Sequence, residues 1–265
     1  MGRKLICEGF RQDHMRAAPW LLTCIALMTL AACAPLPPRN PIATWVPSKN
    51  HDARKPQLIV VHFTDEASVA QSLQTLRTRN SGGPVSAHYL IGRDGHIYQL
   101  VSDTLRAWHA GGGRWGTVTD VNSASLGIEL DNNGHAPFAP QQIDSLVRLL
   151  TDLTTRWQIP RTQIIGHEDL APARKDDPGP LFPWAALAAA GFGLWPDPVL
   201  VDPPAGFDPW MALTAIGYSL DDRAATVRAF HDHFRGMGGD TLDAQDLRIL
   251  CNLVGKIERG ASANR

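Results

Sequence analysis

The sequence predicts an α/β fold with a mixed central sheet flanked by helices, followed by a small C-terminal three-helix domain. Three observations carry this. Apolar strand-length runs alternate with a helical apolar period through the first two thirds of the chain. The stretch Trp195 to Pro209 then holds five prolines and few helix formers, which marks a boundary. Hydrophobic residues make up 44% of the 265 residues and charged residues 19%, enough to build a core over most of that length.

Taken in order, Leu58-Ile59-Val60-Val61 is an unbroken apolar run that suits a strand buried on both faces. Thr64 to Arg79 reads as a helix through Val69, Leu73 and Leu76. His88 to Ile91 and His96 to Val101 read as strands joined by a tight turn at Gly92-Arg93-Asp94-Gly95. Ser125 to Leu130 is a further strand. Gln141 to Trp157 is the clearest helix, with Ile143, Leu146, Val147, Leu150, Leu153 and Trp157 on one face. Gln163 to Gly166 is a last short strand. Past the boundary, Val227, Phe230, His231 and Phe234 share one helical face, and Leu247, Leu250, Cys251 and Val254 share another.

The N-terminus reads as a targeting segment. Met15-Arg16-Ala17-Ala18-Pro19 leads into an apolar stretch from Trp20 to Ala32 and then Cys33, too short to span a membrane. Leu30-Ala31-Ala32-Cys33 resembles the lipobox of bacterial lipoproteins, which implies cleavage, a lipidated Cys33 and, with Ala34 following, an outer-membrane, periplasm-facing location. The domain plan is therefore a signal peptide at 1–32 (Met15 being a candidate true start), a lipidated tether at 33–44, a main domain at 45–196, a linker at 197–209 and a helical domain at 210–265. Only Cys251 is then left in the mature body, so no intramolecular disulfide forms. A formal net charge of -1 without a long basic run argues against a nucleic-acid partner.

His62 directly follows the first apolar strand and His167 the last, with Asp177 ten residues further on. Two histidines and an aspartate are a set that can hold a catalytic zinc with one position open. Spacing alone leaves structural roles at two strand ends equally open.

The words around these residues go further. Leu58-Ile59-Val60-Val61-His62-Phe63-Thr64, Ser86-Ala87-His88-Tyr89-Leu90-Ile91, Trp108-His109-Ala110-Gly111, Ser125-Leu126-Gly127-Ile128-Glu129-Leu130 and the long word from Gly166-His167-Glu168-Asp169 to Asp177-Pro178-Gly179-Pro180 occur in that order. Together they resemble the amidase-2 family of zinc-dependent N-acetylmuramoyl-L-alanine amidases, and most closely its Gram-negative outer-membrane lipoprotein branch, over residues 45–196. The resemblance implies cleavage of the amide between muramic acid, ordinary or anhydro, and L-alanine in peptidoglycan or muropeptides. It implies one Zn2+ held by His62, His167 and Asp177, with Glu129 as proton shuttle and Lys175 beside the developing oxyanion. Ala87 stands where phage-type members carry a tyrosine, which places the base role on Glu129. His88 and His109 could line the substrate groove or orient a ligand, and Asn122 could touch substrate. Trp108 and Trp115 could form a groove wall or simply pack, while Asp169 reads as structural. The C-terminal helices loosely resemble a peptidoglycan-binding domain, with a purely stabilising helical cap as the rival. A non-catalytic peptidoglycan-binding lipoprotein and a zinc peptidase acting on the stem peptide are the competing readings.

Overall fold

A computed structural model of the chain describes residues 39–53, 56–80 and 83–263. The expected signal peptide, Cys33 and most of the expected tether lie outside these residues.

The central sheet forms because several short apolar segments can be buried on both sides. Among the described residues its strands run β1 (Thr44–Trp45), β7 (Ile97–Gln99), β6 (Tyr89–Ile91), β9 (Ser125–Leu130), β3 (Leu58–Phe63), β10 (Ile164–Gly166). Only the β6–β7 hairpin is antiparallel. The β1–β7, β6–β9, β3–β9 and β3–β10 pairs are parallel, so the sheet is mixed. Two small ribbons stand apart, β2 (His51–Ala53) with β8 (Leu105–Ala107) and β4 (Arg79–Asn80) with β5 (Gly83–Pro84).

Strand β3 shows why its run is apolar without alternation. Ile59 and Val61 join one hydrophobic cluster, with Leu126, Ile128 and Leu130 of β9. Helix α3 (Pro140–Trp157) adds Leu146, Leu149, Leu150 and Leu153 there, and helix α5 (Trp184–Ala189) adds Trp184 and Leu187. Leu58 and Val60 point the other way, into a second cluster with Ile165 of β10. That second face is covered by helices α6 (Pro209–Ile216), α7 (Arg223–Arg235) and α8 (Ala244–Ala263), through Leu213, Ile216, Phe230, Phe234, Leu250 and Leu253.

The sequence expectations meet several differences. The helix expected over 64–79 is confined to α1 (Val69–Thr75). Ser68 caps its start by accepting from the Gln71 amide, and Asp65 just before it sits at a left-handed φ of 50°. Packing begins before residue 45: Asn40 is buried, with its amide donating to Gln99 Oε1 and its side chain to Asp152. Residues 197–208 carry no helix or strand, yet the helices beyond them share one core with the sheet. Cys251 is half-buried on α8.

A shared core has a thermodynamic consequence. Phe230→Ala, at a fully buried site, is expected to cost about 3–5 kcal/mol. Urea unfolding followed by tryptophan fluorescence and by far-UV circular dichroism should give one coincident transition in wild type and variant alike. Two separated transitions, with only the later one unaffected by the substitution, would show instead that the C-terminal helices fold by themselves.

Candidate active site

The candidate site lies at the carboxyl ends of three adjacent parallel strands, β9, β3 and β10, where open α/β sheets commonly bind ligands. Period-2 alternation puts His62 on the same face as Leu58 and Val60. Register pairs His62 with Glu129 across β3 and β9. On the other side of β3, Gly166 pairs with Val61, which brings His167, the next residue, level with His62. His167 opens the short helical turn α4 (His167–Leu170), and the Glu168 amide donates to the Asp177 carbonyl, tying the two ligand-bearing segments together. Gly166 is required there by space, since a Cβ would lie 2.8 Å from Pro178 Cδ.

His62 Nδ1, His167 Nδ1 and Asp177 Oδ2 form a near-equilateral triangle, with separations of 3.0, 2.9 and 3.1 Å. All three residues are buried. The surrounding hydrogen bonds decide which nitrogen carries each proton. Ser125 Oγ donates to the Val121 carbonyl at 2.6 Å, so toward His109 Nε2, 3.1 Å away, it must accept. With that proton on Nε2, His109 Nδ1 accepts from His62 Nε2 at 3.0 Å. His62 Nδ1 is thereby left as a lone pair. His167 Nε2 donates to the Ala110 carbonyl at 2.8 Å, which leaves its Nδ1 as a lone pair too. Two imidazole lone pairs and a carboxylate oxygen thus converge without a donor among them, and a cation resolves that repulsion. Tetrahedral zinc ligands about 2.0–2.1 Å from the ion lie about 3.3 Å apart, close to the spacing found. The donor set fits zinc.

The electrostatics agree. Burial, reinforced by the neighbouring His167, lowers the His62 pKa to about 4, so the ring is neutral at ordinary pH. Burial pushes Asp177 upward, but the adjoining His167 and His62 rings outweigh it and hold the carboxyl well below the usual range. Glu129 goes the opposite way: burial, and then Asp177 nearby, raise it well above an ordinary glutamate, only partly countered by Lys175. Its Oε2 makes no hydrogen bond among the described residues.

His62, Glu129, His167, Lys175 and Asp177 all line one cleft of about 240 Å³, together with Trp108 and His109. Of the other expected residues, His88 does not reach it. It is fully buried, with Nδ1 accepting from the Gly127 amide at 2.9 Å and Nε2 donating to the Leu105 carbonyl at 3.0 Å. Asn122 is also buried, and its Oδ1 accepts from the His109 and Ala110 amides at 3.0 and 2.9 Å. It therefore holds the loop whose side chain orients His62 and whose carbonyl orients His167. His109 borders the cleft and orients a ligand. Its ring lies against Gly127, where a Cβ would come within 2.4 Å. Trp115 packs beneath Tyr218 rather than forming a wall, with ring centroids 5.1 Å apart. Sequence reasoning missed Ser125, the Ala110 carbonyl and Arg174, whose guanidinium donates to the carbonyls of Ala110 and Gly112.

Residues 52–180 match the family described as N-acetylmuramoyl-L-alanine amidase, amidase-2. The chain is 34% identical over 168 residues to the 1,6-anhydro-N-acetylmuramyl-L-alanine amidase AmpD of Enterobacter cloacae, covering 56% of this chain and 89% of that protein. The chain belongs to the amidase-2 family. It is also 41% identical over 158 residues to the N-acetylmuramoyl-L-alanine amidase AmiD of Escherichia coli, covering 53% of this chain but only 55% of that relative's length. The structure superposes, with a TM-score of 0.68 and 33% identity, on AmiD from E. coli in complex with the substrate anhydro-N-acetylmuramic acid-L-Ala-D-gamma-Glu-L-Lys. That match covers 77% of this chain and 91% of AmiD's, more than residues 45–196 alone can supply.

The raised Glu129 sets a stability test for this amidase-2 chain. A carboxyl raised on folding contributes fully below its unfolded value of about 4.5 and loses that contribution as pH rises through the folded value. Metal-free Glu129→Gln, neutral at every pH, should therefore be more stable than wild type at pH 8. The advantage should shrink to nothing near pH 4.5, as read by urea midpoints. A gain independent of pH would mean that the carboxylate is not strained by burial.

Proposed function

We propose that this chain hydrolyses the amide bond between N-acetylmuramic acid, or its 1,6-anhydro form, and L-alanine in peptidoglycan fragments, as a zinc amidase. The observation that carries the proposal is the donor-free triangle of His62, His167 and Asp177 beside a half-buried glutamate whose Oε2 has no partner among the described residues, in a chain of the amidase-2 family. The anhydro-muramyl peptide held by AmiD and the muramyl-L-alanine amide for which AmpD is named supply the bond.

The triangle would hold zinc, which supplies Lewis acidity to acidify water and polarise an amide carbonyl. The chain's own residues do the rest. Glu129, which lines the cleft and whose Oε2 has no partner among the described residues, accepts the proton of the attacking water and returns one to the L-alanine amine as it leaves. Its raised pKa suits both halves of that exchange. Lys175 lines the same cleft, close enough for its charge to act on His62 and Glu129, and it places that charge where the tetrahedral oxyanion develops. The path His62–His109–Ser125 keeps the His62 proton on Nε2, away from the ligand face.

The N-terminal reading joins this proposal: Cys33 lipidated, the protein anchored to the outer membrane and facing the periplasm. Labelled palmitate should enter the wild type and not Cys33→Ala, whose precursor should stay unprocessed. Equal mobility and no label in either would remove the anchor.

Chelation should abolish hydrolysis and added zinc restore it. Glu129→Gln should keep zinc and substrate affinity while kcat falls by about 10²–10⁴. Lys175→Met should lower kcat about 10²-fold without loss of metal. Mass spectrometry of muropeptide digests should show the intact stem peptide with a free L-alanine amine. Cuts within the stem would make the chain a peptidase, and full turnover in the metal-free protein would end the zinc reading.

A further inference from the structure

We propose that Tyr218 and His233, on the C-terminal helical part, are positioning residues for the metal ligand His167, acting through Asp169. This rests on the reading of His62, His167 and Asp177 as a metal site.

Asp169 is completely buried two residues after His167. A buried carboxylate needs donors, and this one has them from two parts of the fold. Its Oδ2 accepts from the Gly166 amide at 2.7 Å, which fixes where β10 ends and α4 begins. The same oxygen accepts from His233 Nδ1 at 2.7 Å, and Oδ1 accepts from the Tyr218 hydroxyl at 2.5 Å. His233 and Tyr218 are themselves buried. The His233 ring is stacked on Trp184, 3.7 Å between centroids and 7° from parallel, which fixes the direction of its Nδ1. The Tyr218 ring is held edge-on by Trp115.

The consequence for the site follows from connectivity. Gly166 immediately precedes His167, and its backbone is in close packing with Pro178, which immediately follows Asp177. The turn that Asp169 pins therefore places both ligands drawn from this part of the chain. If Asp169 loses its two side-chain donors, a desolvated carboxylate is left with one amide. It will then rotate to find other donors, and the pin on Gly166 slackens. Metal affinity depends on a few tenths of an ångström in ligand placement, so this should register as weaker metal binding, whereas substrate recognition in the cleft is untouched. The C-terminal helices thereby act on the metal site, beyond covering one face of the sheet.

The test uses the full chain and measures the zinc dissociation constant by chelator competition, with muropeptide kcat and KM at saturating zinc. His233→Phe keeps the stacked ring and loses Nδ1–H, and Tyr218→Phe loses only the hydroxyl. Together they should weaken zinc about 10–100-fold, the range for lost ligand-orienting partners, with KM unchanged. His233→Asn, which carries an amide N–H near the lost Nδ1–H, should recover most of the affinity. Phe230→Leu, a core change on the same helix with no link to Asp169, should lower Tm while leaving zinc affinity as in wild type. Should the double variant not fold, Tyr218→Phe alone should still weaken zinc relative to Phe230→Leu. Zinc affinity equal to wild type in the Tyr218 and His233 variants, or zinc loss in Phe230→Leu matching its loss of Tm, would overturn the proposal. A wild type that binds no zinc would overturn the metal reading on which it rests, a distinct result.

Discussion

Three acceptors held within about 3 Å of one another, with no donor among them, are the constraint around which this fold is arranged. Such a cluster is unfavourable without a cation, and it persists only because each member is held from behind. His62 is held by His109 and Ser125, His167 by the Ala110 carbonyl, and Asp177 by the turn bonded to the Glu168 amide. Asn122 and Arg174 fix the 109–112 loop that serves both histidines. The ligands themselves come from strand ends set level by the parallel register of β3 with its neighbours. A shift of one residue in either register would turn His62 away from Glu129 or His167, since strand side chains alternate faces.

Three buried carboxyl groups and the half-buried Glu129 crowd this end of the sheet, and their surroundings separate them. Asp177 lies against two imidazoles and stays ionised. Asp169 is satisfied by three donors. Glu129 and Glu168 are raised well above the ordinary range, burial being the largest cause for both. Groups of one chemical type are thus pushed apart in proton affinity by donors and burial alone, which is how one site can hold a permanent anion beside a group that exchanges protons.

The sheet was legible in the sequence where burial leaves a simple pattern. Leu58 to Val61 is apolar throughout because both faces of β3 are covered, and α3 shows its period because one face is wet. His62 and His167 were legible as histidines at strand ends, and their expected grouping with Asp177 followed from the motif words; the structure brings the three together. Other features depend on distant partners and leave no local mark. His88 looks like a candidate groove residue in sequence, but its two nitrogens are taken by the backbone of Gly127 and Leu105. Asn122 serves amides twelve and thirteen residues earlier. The Ala110 carbonyl is a backbone atom that any residue would supply. Strands of two or three residues, such as β1 and β2, are too short for a period. The proline-rich segment at 195–209 marks a change in local structure, but shared burial across it is a property of Leu58, Val60 and Ile165, far away in sequence.

The same geometry explains why Glu129 is left without a partner for Oε2. A donor placed there would stabilise the carboxylate, draw its proton affinity down toward that of Asp177, and occupy the lone pair that a water proton must reach. Burial without hydrogen bonding does the reverse, and it weakens the fold in proportion. The apolar clusters on both faces of β3, one of which includes Leu126, Ile128 and Leu130 of β9, supply the rigidity that lets this cost be carried. Glu129 cannot relax away from the cleft, because the strand bearing it is paired on both sides, with β3 and with β6. A base on a mobile loop could escape desolvation by moving into water. On a central strand it stays where the proposed proton transfer needs it, and the stability lost at that residue is the physical counterpart of the role proposed for it.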